Sequence, residues 1–217
     1  MNILVFAPHN DDEVLGVGGT IHKHVKSGDD VFVCEVTSGE KYKLLQAEAA
    51  KAHVVLGVKD SIFLNLPVSK LADYEKTLLN QKIDKIVRQI EPEIVYTPFI
   101  GDMHLDHRYV TEAVLVAVRP VNNCPVKKVY MYETLSETGW NIPYGERTFN
   151  PNMWVDITAN IDIKIKAMSC YESQVREYPN PRSIDAIKAL AMYRGSTVSV
   201  PYAESFMVVR EILAGGK

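Results

Sequence analysis

Two hydrophobic rhythms alternate along this chain. Short, largely apolar runs predict strands: Asn2–Ala7 and Asp30–Thr37 have the character of strands buried on both faces, Ile62–Leu66 reads as a short third strand and Ile94–Thr97 as a fourth. Between them apolar positions recur at helical spacing. Val14, Val17, Ile21 and Val25 form one stripe that ends at Ser27-Gly28. A Lys/Glu/Ala-rich segment from about Tyr42 to Leu56-Gly57 and the amphipathic segment Leu78–Gln89, with Leu79, Ile83, Ile86 and Ile90 on one face, predict two more helices. Beyond Asp102 the pattern predicts helices over Tyr109–Val118, Ile161–Tyr171 and Ser183–Tyr193, with strands over Lys127–Tyr132, Met153–Ile157 and Ser205–Val209. Strands alternating with helices in this way predict an α/β fold, a mostly parallel central sheet covered by helices on both faces. Glu133–Asn152 carries Gly139, Pro143, Gly145 and Pro151, and is expected to be a long irregular segment near a binding face.

Composition narrows the class. At 217 residues with 47% hydrophobic and 24% charged residues, the chain 1–217 is expected to fold as one domain. A net charge of -3 and the lack of any Lys/Arg run argue against nucleic acid as a partner. No segment is apolar over the length of a membrane span and the start has no signal-peptide pattern, so the expected location is cytoplasmic. Cys34, Cys124 and Cys170 are odd in number and far apart, the pattern of buried small hydrophobes rather than a disulfide frame or cysteine zinc site.

In open α/β sheets ligands bind beyond the C-terminal ends of the strands. Two polar clusters fall there: Pro8-His9-Asn10-Asp11-Asp12-Glu13 after the first strand and Gly101-Asp102-Met103-His104-Leu105-Asp106-His107 after the fourth. A histidine and a carboxylate from one loop plus a histidine from the other would give a zinc ion three ligands and leave a fourth position open. Adjacent Asp11 and Asp12 can then divide metal binding and proton transfer between them. Taken singly, each residue has a plainer reading: a hydrogen-bonded structural histidine, or a helix cap followed by a first-turn acid. Their combination in two strand-end loops favours the metal reading. His22, His24 and His53 lie within helices and read as surface or packing residues. Gly16 and Gly18-Gly19 fit no complete dinucleotide fingerprint and read as sites of close helix packing.

The two clusters resemble the His-Pro-Asp-Asp-Glu and His-Pro-Asp-His signatures of the LmbE/PIG-L deacetylases. The likeness extends to Glu133-Thr134-Leu135-Ser136, Tyr171-Glu172-Ser173-Gln174, Arg194-Gly195 and Tyr202-Ala203-Glu204-Ser205-Phe206. Asn10 and Leu105 stand where the signatures have proline, positions that supply no ligand in the family. The resemblance implies a Rossmann-like three-layer fold and a metal held by His9, Asp12 and His107, zinc or another divalent ion. It implies Asp11 as general base and His104 as oxyanion stabiliser, with Asp106 placed to orient or charge His104. The implied activity is removal of the acetyl group from an N-acetylglucosamine-type sugar or conjugate, by a protein that is often an oligomer. Two alternatives stand beside it: a metal-dependent amidase acting on a non-sugar or thiol conjugate, and a non-catalytic sugar- or nucleotide-binding domain. A serine hydrolase is disfavoured because no Gly-x-Ser-x-Gly elbow follows a strand. Asp102 is expected behind the metal site or in a turn. Arg182, Arg194 and Tyr202 are candidates for substrate or subunit contact as well as for ion pairing and packing. Trp140 and Tyr144 are candidates to stack on a sugar ring or to cover the domain edge.

Overall fold

Each apolar run expected to be a strand is one in the computed structural model, which describes residues 1–121 and 123–213; the expected domain 1–217 extends past them at its C-terminal end. The strands are β1 (Asn2–Ala7), β2 (Asp30–Ser38), β3 (Asp60–Pro67), β4 (Ile94–Pro98), β5 (Lys128–Tyr132), β6 (Met153–Asp156) and β7 (Ala203–Glu211). The helices are α1 (Asp12–Lys26), α2 (Tyr42–Leu56), α3 (Lys76–Ile90), α4 (Leu105–Ala117), α5 (Leu135–Thr138), α6 (Ile161–Ser169) and α7 (Ile184–Ser196). The sheet order is β3-β2-β1-β4-β5-β7-β6. Strands β1 to β5 are parallel, and β7 runs antiparallel to both β5 and β6.

Two cores explain why the parallel strands read as continuous apolar runs. Ile3 and Val5 of β1 point into a core built with α1, α2 and α6, and the intervening Leu4 and Phe6 point into another built with α3 and α4. The result is three layers, helix on sheet on helix. The tightest helix–sheet approach is at Gly16 and Gly19 of α1. A Cβ at Gly16 would overlap Cδ2 at the edge of the Tyr132 ring, and one at Gly19 would meet Ile157 at 2.8 Å. The small residues there serve packing, as the sequence suggests.

One boundary differs from expectation by a full turn. Helix α4 starts at Leu105 rather than Tyr109, because His104 accepts the Asp106 N–H at its N-cap and starts the helix inside the second polar cluster. The segment Glu133–Asn152 is irregular apart from α5 and a single 3-10 turn at Gly145–Arg147.

Candidate metal centre and active site

Strands β1 and β4 are neighbours, with Ile3 paired to Ile94 and Val5 to Tyr96. From β1 the chain turns one way, to β2 and β3, and from β4 the other way, to β5. The loops leaving the two strands therefore diverge at the point where α/β sheets open a crevice. The first loop carries His9 and Asp11 and leads into Asp12, the first residue of α1; the second carries Asp102 and His104 and leads into Asp106 and His107 in the first turn of α4.

Three atoms converge there. His9 Nδ1 lies 3.2 Å from Asp12 Oδ2, His107 Nε2 lies 3.1 Å from the same oxygen, and the two nitrogens are 3.3 Å apart. A tetrahedral zinc site with bonds of 2.0–2.1 Å has ligand-to-ligand edges of about 3.3 Å, so the triangle already has the dimensions of one face of such a site. Asp12 and His107 are buried, and Asp12 Oδ1 has no hydrogen-bond partner. The donor set of two imidazoles and one carboxylate fits zinc and other divalent first-row ions.

Each histidine is held from behind by a carboxylate. His107 Nδ1 donates to Asp102 Oδ2 at 2.8 Å, and Asp102 Oδ1 also accepts the Thr138 hydroxyl at 2.5 Å. His9 Nε2 lies 3.2 Å from Asp106 Oδ2, and the Asp106 carboxylate also accepts the backbone N–H groups of Ser69 and Leu71. These bonds fix the tautomers that turn His9 Nδ1 and His107 Nε2 inward. Burial lowers the His107 imidazole, but Asp12 and Asp102 outweigh it and push the ring up to about 10. The pocket thus demands positive charge at the triangle.

Asp102 stands behind His107, as one of its two sequence readings anticipates. Asp106 differs: its carboxylate engages His9, and only its backbone N–H meets His104, donating to Nδ1 at 3.1 Å. That bond leaves His104 Nε2 as the protonated nitrogen. Burial, reinforced by His9 and His107, brings His104 down to about 4, so it is a neutral N–H donor at ordinary pH.

Asp11 is buried, and neither carboxylate oxygen has a hydrogen-bond partner. Its backbone is strained, with φ of 105°. The Asp11 N–H donates to Glu13 Oε2 at 3.2 Å. Burial pushes the Asp11 carboxyl up to about 8, Asp12 and Glu13 adding to the effect and Arg182 opposing it. Asp11 lines a cavity of about 230 Å³ together with His9, Asn10, His104, Glu137, Gln174 and Arg182.

Among the weaker candidates, Arg182 reaches this cavity, with Nε 3.6 Å from Asp11 Oδ2. Arg194 instead forms a bidentate pair with Glu133 at 2.7 and 2.6 Å and lies over the rings of Phe149 and Tyr193. Tyr202 packs against the small core of Ile157, Ile161 and Ala191. Trp140 and Tyr144 are exposed and do not line the Asp11 cavity. His24 joins Asp29 to the Tyr96 hydroxyl. His53 lies against Glu13 and Glu35 beneath the first loop, at 3.3 and 3.6 Å, and the Tyr171 hydroxyl donates to Glu13 at 2.6 Å. The sequence reading missed this buried cluster, as it missed Glu137, and it had Gln174 only as part of a family likeness. The available signal was Glu35, an acid in the middle of an otherwise apolar strand.

Among curated proteins, diacetylchitobiose deacetylase of Thermococcus kodakarensis is 28% identical over 95% of this chain and 82% of its own length. A Mycobacterium 1D-myo-inositol 2-acetamido-2-deoxy-alpha-D-glucopyranoside deacetylase is 24% identical over 95% of this chain and 83% of its own length. Among solved structures, the conserved protein TT1542 of Thermus thermophilus superposes with a TM-score of 0.80 at 27% identity, covering 98% of this chain and 96% of that one. The family model described as PIG-L, GlcNAc-PI de-N-acetylase, matches residues 4–118, which include both polar clusters and more than half of the sequence, and the chain belongs to the PIG-L family.

Proposed function

We propose that this protein is a metal-dependent hydrolase that removes the acetyl group from an N-acetylated amino sugar or a conjugate of one. The observation that carries the reading is the pairing of the His9–Asp12–His107 triangle with a buried, unpartnered Asp11 carboxylate beside it. Relatives named for deacetylating diacetylchitobiose and an inositol-linked N-acetylglucosamine support the substrate class.

His9 Nδ1, Asp12 Oδ2 and His107 Nε2 would hold the ion, with zinc the first choice for two nitrogens and one oxygen. A divalent cation held there supplies Lewis-acid polarisation of the acyl oxygen and acidifies water. Asp11 takes the proton of the attacking water as the new C–O bond forms at the acetamide carbon. The His104 Nε2–H donates to the oxygen on which negative charge develops, a role that needs a neutral imidazole with its proton on Nε2. Protonated Asp11 then hands its proton to the amine nitrogen as the C–N bond breaks, leaving acetate and the free amino sugar. Asp106 positions His9 through its carboxylate and His104 through its backbone N–H.

The test is the metal content of the purified protein together with acetate release from a panel of N-acetylglucosamine derivatives and non-sugar acetamides. About one ion per chain, with acetate release from the sugars that is lost in Asp11→Ala, is the expected result. A protein that binds no metal and stays inactive with added zinc, cobalt or iron would overturn the reading. Release from the non-sugar acetamides alone would overturn the substrate class.

A further inference from the structure

The cavity beside the triangle is completed by residues outside the segment that the PIG-L model matches. Glu137, Gln174 and Arg182 all come from the second half of the chain. Among the described residues Arg182 is the only Lys or Arg in the lining, and its placement is unusual. The Asp11 side chain is 1% exposed and that of Arg182 27%, so the pair sits in the cavity wall with Arg182 partly open to solvent. Both Asp11 Oδ2 and Arg182 Nε are buried without a hydrogen-bond partner, yet they face each other at 3.6 Å. The guanidinium is also braced: Arg182 Nη1 donates to Gln174 Oε1 at 3.2 Å, and the Arg182 backbone N–H donates to Asn180 Oδ1 at 2.9 Å. Gln174 is tied in turn to the Ser173 hydroxyl, which donates to Glu48 of α2.

We propose that Arg182 is a positioning residue for Asp11: its Nε engages Oδ2 and leaves Oδ1 as the oxygen that exchanges the proton. This rests on the deacetylase reading and goes beyond it by separating the two oxygens of the base. A general base must present one lone pair to the attacking water, and later one O–H to the amine, in a narrow range of directions. A carboxylate with no partner at all rotates about its χ angles. Clamping one oxygen from the side stops that rotation, and apo contacts of this kind shorten when substrate closes the site. Proton balance is unchanged by Arg182, which neither gains nor loses a proton: water loses one to Oδ1, and Oδ1 returns it to nitrogen.

The test compares wild type with Arg182→Gln, Arg182→Lys, Asp11→Asn and the double variant Asp11→Asn/Arg182→Gln, each checked for bound metal. Arg182→Gln should lower kcat by about ten- to a hundredfold with KM within about twofold, and Arg182→Lys should recover part of the loss. The double variant should be no slower than Asp11→Asn, because the two residues act as one unit. A rise in KM with kcat retained would make Arg182 a substrate contact and overturn the proposal, as would additive losses. Thermal unfolding of the metal-free proteins provides an arm that needs no turnover. There Arg182→Gln should lower Tm, and adding Asp11→Asn should restore it, since the unpaired buried carboxylate is then gone. Independent Tm effects would overturn the pairing even if no substrate is found, whereas an inactive wild type with a coupled Tm would overturn only the deacetylase reading.

Discussion

Asp11 concentrates two costs in one residue. A side-chain-bearing residue at φ of 105° is held about 1–3 kcal/mol above a relaxed backbone, and its carboxylate is desolvated without a hydrogen bond. The fold tolerates both because the Asp11 N–H is fixed by Glu13, which is itself locked by Tyr171 and His53. Asp11→Asn should therefore abolish turnover, and in the Arg182→Gln background, where the carboxylate has lost its facing guanidinium, it should raise the Tm of the metal-free protein by a few degrees, a trade of stability against activity seen where a strained site serves function. A lower Tm for that variant would show that the carboxylate is satisfied in solution. The carboxylates behind the histidines predict a different effect. Asp102→Asn keeps the shape but frees His107 to adopt the other tautomer, and should weaken metal affinity about 10–100-fold in a competition titration with a chromophoric chelator. The triangle residues were legible in the sequence because they sit in two short loops at strand ends. Arg182 was legible only as one of several candidates for substrate or subunit contact, and Gln174 only as part of a family likeness, because nothing in the local pattern of the loop between α6 and α7 says which direction its side chains face.

At the level of elements, α1 is held from the side by the end of the chain. Glu204 at the start of β7 accepts the backbone N–H groups of Gly19 and Thr20 at 2.9 and 2.7 Å, and Lys164 of α6 joins Glu204 to the Leu15 carbonyl. All five groups belong to buried residues, so the contact fixes the middle of α1, and with it the loop that precedes the helix, against β7. Lys164→Met leaves Glu204 as an uncompensated buried charge and should cost about 3–5 kcal/mol, read as a shift of the urea midpoint. An unchanged midpoint would mean that Glu204 takes up a proton and keeps its two N–H partners. Packing makes a matching demand at Gly16: Gly16→Ala pushes a methyl group into the Tyr132 ring and should destabilise by about 1–3 kcal/mol. The elements themselves were readable because β1, β2, β4 and β5 are largely buried on both faces and helices α1 and α3 carry clean apolar stripes. The start of α4 was not. Residues 104–107 are chosen for chemistry, and Leu105 is exposed, so the apolar stripe begins a turn later than the helix does. Glu35 escaped notice, and His53 was read only as a surface or packing residue, for a related reason: each sits in a regular element whose period says nothing of a polar cluster formed across two of them.

Over the whole molecule, the sheet order decides that a site exists at all. His9 and His107 are far apart in sequence and meet only because β1 and β4 are adjacent strands. An unfolded chain has no such triangle, so any ion that binds it binds the native state alone, and removal of the ion by a chelator should lower Tm by an amount that grows with the logarithm of the metal concentration it replaces. A Tm indifferent to chelation would place the ion elsewhere. The same adjacency gives refolding a clock. A metal-sensitive dye in the refolding mixture would lose its ion at the moment the first strand of the chain finds the fourth, so the order in which this sheet is assembled can be timed without labelling a single residue.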